Sequence, residues 1–290
     1  MLHSGSVVVG LGEEGELDPA IDWAAGTAQQ SGQPLHLVRA YHLADPMLPW
    51  QTALDRTLND RLHAVAQQVL DRARDRVAIE YPQVKVESFA VDGPAARVLR
   101  EASEDADITV VGSRRRGALG TAVLGSVSSV VAAAGFGPVV VVRSPIDPDG
   151  DQDAGDRCVV VGVDGASSMF DVLMFAFGHA SRHGYAVRAV FCWQPGLFST
   201  PSESGVELER GDHWLAAMLA DAHERYPGVQ VHRAVICAHP VTGLVAESSG
   251  QELLVVGARS RRARFGALLG SVSQGTLHHA SCPVAVIHPR

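Results

Sequence analysis

The sequence predicts an α/β fold: two doubly wound, five-stranded parallel-sheet sandwiches in tandem. Three observations carry this. The chain has 290 residues, room for two domains of about 100–200 residues. Its second half repeats its first. Within each half, short runs of almost wholly apolar, β-branched residues alternate with longer helical patterns, as in a parallel sheet covered on both faces.

The repeat is read from landmarks. VVGSRRRGALGTAVLGSVS (residues 110–128) returns as VVGARSRRARFGALLGSVS (residues 255–273), an offset of 145 that also carries Tyr81-Pro82 to Tyr226-Pro227. Earlier in the chain the offset is 152, taking Val8-Val9-Gly10 to Val160-Val161-Gly162 and Tyr41 to Trp193. The first copy is therefore longer by seven residues between Tyr41 and Tyr81. Copies of this size indicate a duplicated domain rather than a solenoid, whose units run about 20–50 residues. Domains at 1–144 and 157–290 are expected, with the Pro-, Gly- and Asp-rich segment 145–156 as a solvated linker.

In the first copy, residues 6–10, 35–41, 84–91, 108–112 and 138–143 read as strands, being β-branched runs bounded by Gly, Pro or Asp. Asp18-Pro19 opens the first helix as cap and first-turn proline, and Gly32 lies past its end. Further helices are expected at 52–77, 94–103 and 119–134, the last stopped by Gly135. The second copy repeats the series from Cys158 to His288. Right-handed crossovers then give an open doubly wound sheet, whose ligands sit at the carboxyl ends of the strands where the winding reverses.

Composition excludes several classes. Lys85 is the only lysine, which removes phosphate-loop NTPases. The net charge of −8 disfavours general nucleic-acid binding, so no such partner is expected. No apolar run approaches the ~18 residues of a membrane helix, no leader-like segment opens the chain, and a cytoplasmic location without membrane association is expected. Four cysteines without a Cys-x-x-Cys pair make neither a disulfide framework nor a zinc knuckle.

The chemistry-bearing segment follows the fourth strand of each copy. Gly112 opens a loop that closes at Gly125-Ser126, and Gly257 and Gly270-Ser271 repeat it. Glycines before a helix N-terminus make an anion site from backbone amides, with the serine hydroxyl as a further donor. The competing reading is that they merely let a strand turn and a helix pack. Arg114 and Arg259, at equivalent places, are candidates to clamp phosphates; the remaining loop arginines read as solvated charge.

The spacing Gly-x-x-Gly-x9-Gly-Ser/Thr after a valine-rich fourth strand resembles the ATP-binding loop of the universal stress protein family. The opening Val159 to Ser167 and the closing Pro-Val-x-Val-Val/Ile also resemble that family, and the likeness spans both halves. It implies a strand order of 3-2-1-4-5 in each half, as in adenine nucleotide alpha hydrolase-like folds. It also implies an adenine nucleotide as ligand, ATP with or without Mg, in a stress-response regulatory role without catalytic residues. Pairing through the last strands, 139–142 and 284–287, would make an intramolecular pseudo-dimer, and a homodimer is the expected assembly. The site residues carried over are Val163, Asp164, Gly257, Arg259, Gly270, Ser271 and Ser273, and in the first half Gly112, Arg114, Gly125, Ser126 and Ser128.

Both copies depart from the motif. Its second glycine is Arg115 in one and Ser260 in the other, and the adenine-facing aspartate, Asp164, is Gly12 in the first copy. Neighbouring Glu13 and Glu14 could substitute there only if the loop shifts, so the second half is the expected ATP site, with a weaker or vestigial site in the first. The alternative is an interaction scaffold with vestigial sites; an enzyme would need a reactive constellation that the sequence does not offer. Cys192 and Cys237, ending neighbouring strands, suggest either a redox pair or small apolar fillers. His179 and His183, one helical turn apart, suggest either metal ligands or, the better expectation, a solvated helix end.

Overall fold

A computed structural model of the chain describes residues 5–12, 19–42, 52–113, 124–143, 157–166, 168–194, 201–258 and 269–289. The expected linker and the loop positions Arg114, Arg115, Arg259 and Ser260 lie outside them. The chain divides into two compact units.

The first unit runs β1 (Ser6–Gly10), α1 (Pro19–Ser31), β2 (Leu35–Tyr41), α2 (Thr52–Glu80), β3 (Val86–Asp92), α3 (Ala95–Ala102), β4 (Ala106–Ser113), α4 (Ser126–Ala134) and β5 (Pro138–Arg143). Its strands lie in the order β3-β2-β1-β4-β5, and each neighbouring pair is parallel. The second unit runs β6 (Cys158–Gly162), α5 (Met169–His183), β7 (Ala186–Trp193), α6 (Pro201–Arg225), β8 (Val231–Cys237), α7 (Pro240–Glu247), β9 (Leu253–Gly257), α8 (Ser271–His279) and β10 (Val284–Ile287). Its order, β8-β7-β6-β9-β10, is the same winding, again parallel throughout. The expected order 3-2-1-4-5 holds in both.

The central strands are apolar on both faces because helices cover both. Val7, Val8 and Val9 are consecutive, so they point to opposite faces, yet all three are fully buried, and Val159, Val160 and Val161 repeat this. Each such side chain contributes roughly 1.5–3 kcal/mol by leaving water. In the second unit α5 and α6 pack together on one face, and α7 and α8 on the other. Gly32 and Gly184, equivalent positions, both leave the first helix of their unit in the left-handed region at φ +67° and +71°, which explains where those helices stop.

Boundaries shift where tertiary hydrogen bonds decide them. The third strand begins two residues later than the apolar run suggests and the fourth two residues earlier. The helix expected from 119 begins at Ser126: Leu124 and Gly125 are not helical, and Gly125 caps the helix with extended backbone, φ −65° and ψ 153°. No described helix is long and apolar enough to cross a membrane.

Candidate functional site

In each unit the winding reverses between two parallel neighbours, β1 and β4 or β6 and β9. Their carboxyl ends form the crevice where ligands of such sheets bind. Of the residues singled out for this site in the sequence, Val163, Asp164, Gly257, Gly270, Ser271 and Ser273 of the second unit lie at or beside these strand ends; Arg114 and Arg259 lie outside the described residues.

One wall of the second crevice is the turn leaving β6. The Val163 amide donates to the Val190 carbonyl at 2.9 Å, which ties the turn to β7, and its side chain is buried. Asp164 is exposed, and its Oδ1 accepts from the Ala166 amide at 2.9 Å, an Asx turn. The Ala166 carbonyl then accepts from Met169 N at 3.0 Å, leading into α5. The carboxylate keeps acceptor capacity beyond this bond, since each ionised carboxyl offers about four lone-pair positions. Behind the turn, Gly162 lies under Leu244 of α7: a Cβ there would stand 3.0 Å from Leu244 Cδ1. Gly10 under Leu99 is the equivalent, at 2.5 Å.

The other wall is the start of α8. Ala258 N donates to Ile287 O and Gly270 N to Ala258 O, both at 2.9 Å, so the loop between them is closed at its base. Gly270 caps α8 at φ −62° and ψ 152°. The amides of residues 271–273 begin the helix and, by helix geometry, have no acceptor within it; the N-terminal end of the dipole adds to their attraction for an anion. Ser271 is exposed at this end, as is Ser126 on α4.

Ser273 and Ser128 behave differently from Ser271 and Ser126. Both are buried, and their hydroxyls donate to the strand-end carbonyls, Ser273 Oγ to Gly257 O at 2.5 Å and Ser128 Oγ to Gly112 O at 2.6 Å. A hydroxyl has a single proton, so these serines clip the helix to the strand end instead of donating to a ligand. Ser273→Ala, which leaves the Gly257 carbonyl without that donor, is expected to cost about 1–2 kcal/mol of stability in urea unfolding. Ser273→Thr, which keeps the hydroxyl, is expected to retain most of it.

In the first unit Gly12 takes the place of Asp164, and no described residue lies within 4 Å of where its Cβ would be. Arg39 Nη1 instead donates to the Leu11 carbonyl at 2.8 Å, a contact that the sequence does not announce. Gly125 has the same capping geometry as Gly270. The two helix starts are thus built alike, and among the described residues Asp164 of the second unit has no carboxylate counterpart in the first, where Gly12 holds its place.

The histidine and cysteine pairs resolve on geometry. His179 is fully buried, not solvated as expected, because its helix face packs inward. Its ring stacks on His183, with centroids 4.0 Å apart. Among the described residues no group of three or more His, Cys, Asp or Glu side chains is placed to hold a metal. Cys192 pairs in register with Ile236 and Trp193 with Cys237. The two cysteines are therefore one residue out of register and point to opposite faces of the sheet, which excludes an intramolecular disulfide. Burial, then the neighbouring Glu247 charge, pushes the Cys192 thiol up to about 11, so it is unreactive near neutral pH. A separate groove of about 460 Å³, beside Leu219, His223 and Val229, lies near the start of β8, away from the crevice.

The relatives of this chain agree with its architecture. The model of the universal stress protein family matches residues 4–143 and 157–288. A universal stress protein of Mycobacterium tuberculosis is 34% identical over 290 residues, covering 97% of this chain and 96% of its own. Another, of Mycolicibacterium smegmatis, is 34% identical over 297 residues, covering 98% and 97%. Among solved structures, a universal stress protein from Archaeoglobus fulgidus superposes with a TM-score of 0.69 at 16% identity, covering 100% of both chains. With one family match on each unit and relatives that span both, the chain belongs to the universal stress protein family and carries its domain twice.

Proposed function

We propose that this protein is a nucleotide-responsive regulator whose second unit binds an adenine nucleotide, ATP in the first instance, and whose first unit does not. The observation that supports this most directly is the pairing, on adjacent strand ends, of the Asp164 turn with the open start of α8. A carboxylate at one wall accepts from the exocyclic amine of adenine, and helix amides at the other receive phosphate. Gly270 fits this role because its backbone needs no glycine, while its missing side chain leaves the amides approachable. Any Mg would be carried by the phosphate oxygens. The chain's part is binding and orientation, with shape or partner choice as the output instead of turnover.

The test is isothermal titration of the full chain with ATP, alongside mass spectrometry of nucleotide released from freshly purified protein. Saturable binding of one ATP per chain is expected. Absence of binding at millimolar ATP, with no nucleotide released, would leave the scaffold reading in its place.

A further inference from the structure

We propose that Trp214 is a positioning residue for the ligand site, holding the Asp164 turn in its receptive form from the opposite side of the backbone. This rests on the reading that Asp164 receives the adenine.

Gly165, next to Asp164, sits at φ +69°, where side chains are strained. A Cβ on it would also stand 2.8 Å from Trp214 Cζ2, so the indole edge is seated against the bare backbone of the turn. The indole is itself held by Phe191 of β7, with centroids 4.7 Å apart and planes at 51°, a favourable tilted pair. Leu215, the next residue of α6, is fully buried and fixes the helix on the sheet. The turn is therefore closed on one side by its own Asx hydrogen bond and backed on the other by an aromatic pair.

The first unit is the internal control. By the repeat offsets, Arg39 stands where Phe191 does and Gly12 where Asp164 does, and the place of Trp214 falls to Val69 or Leu62, neither of them aromatic. Arg39 donates to the Leu11 carbonyl, and among the described residues the Gly12 position has no neighbour within 4 Å of a Cβ. The aromatic pair thus occurs in the unit that carries Asp164, and the unit with Gly12 in that place has Arg39 for Phe191. If the indole only filled space between α6 and the sheet, no contact with the turn would be needed.

Removing the ring lets the turn sample conformations in which the carboxylate misses the base. The experiment is calorimetry with ATP on the full chain and on Trp214→Ala, Trp214→Phe, Asp164→Ala and the Asp164→Ala/Trp214→Ala double variant. Trp214→Ala is expected to weaken ATP binding about fivefold, with Trp214→Phe restoring most of it, and to add nothing once Asp164 is gone, the signature of coupled neighbours. If Asp164→Ala leaves affinity unchanged, the reading of the site fails first. If Asp164→Ala weakens binding but Trp214→Ala does not, or its loss persists in the double variant, the positioning role is overturned. Should Trp214→Ala fail to fold, the same cycle run with Trp214→Leu, which also lacks the ring and is expected to weaken binding as alanine does, decides it by the same criterion.

Discussion

Between about pH 6.5 and pH 4 the second unit is expected to lose stability, by roughly 2 kcal/mol or more. The cause is the pair of stacked imidazoles on α5. Burial, then the charge of neighbouring Arg182, lowers His183 from 6.5 to about 4. Burial, followed by His183 and Arg182, holds His179 well below its usual value. In the folded chain both rings stay neutral as pH falls, whereas the unfolded chain takes up a proton at each from about pH 6.5 downward. The unfolded state then binds more protons, so stability is full above pH 6.5 and declines towards about pH 4. For His183 the loss is roughly 2 kcal/mol once its partial solvent exposure is discounted, and His179 adds to it in the same direction.

The first unit has Thr27 and Ser31 at the equivalent positions, with the Ser31 hydroxyl donating to the Thr27 carbonyl at 2.8 Å. Neither titrates in this range. Urea unfolding at pH 7 and pH 4.5 should therefore show a transition that moves with pH in the parent and moves much less in His179→Leu/His183→Gln, whatever the variant's absolute stability. Equal pH shifts in the two proteins would sink the assignment to these histidines.

That device shows where the sequence is informative and where it is mute. The i, i+4 spacing of His179 and His183 announces that the rings meet, but not which helix face turns inward, because α5 is apolar over much of its circumference. Strand order was legible, since valine runs punctuated by glycine and a right-handed winding leave few alternatives. The helix starts were less so: alanine and leucine before Ser126 satisfy a helical pattern, and only the capping geometry of Gly125 shows where it begins. The candidate site was legible as glycines and Asp164 because duplication repeats their spacing. The distinct tasks of Ser271 and Ser273, two residues apart on one helix start, depend on which hydroxyl faces the strand end. The contact of Trp214 with Gly165 depends on how α6 docks, and neither has a signature in local sequence.

The sharpest expected contrast lies between the two capping glycines. Gly270→Val is expected to weaken ATP binding at least tenfold, and Asp164→Ala by about five- to 150-fold, the equivalent of roughly 1–3 kcal/mol for an unpaired polar group. Gly125→Val is expected to leave affinity unchanged. The backbone argument is the same at both positions. Each glycine sits at an extended, negative φ that any residue adopts, so the backbone part of the cost of valine is about 1 kcal/mol of capping preference. At Gly125 a Cβ would meet only the Ser128 hydroxyl, at 3.8 Å, so the first unit accommodates it. What differs is the strand end beside each helix start: the turn after β6 carries Asp164, and the turn after β1 has Gly12 in its place. Titration calorimetry with ATP, paired with urea unfolding to confirm that each variant is folded, separates the two. Loss of binding in Gly125→Val with retention in Gly270→Val would move the working site to the first unit, where Gly12 stands in the place of Asp164.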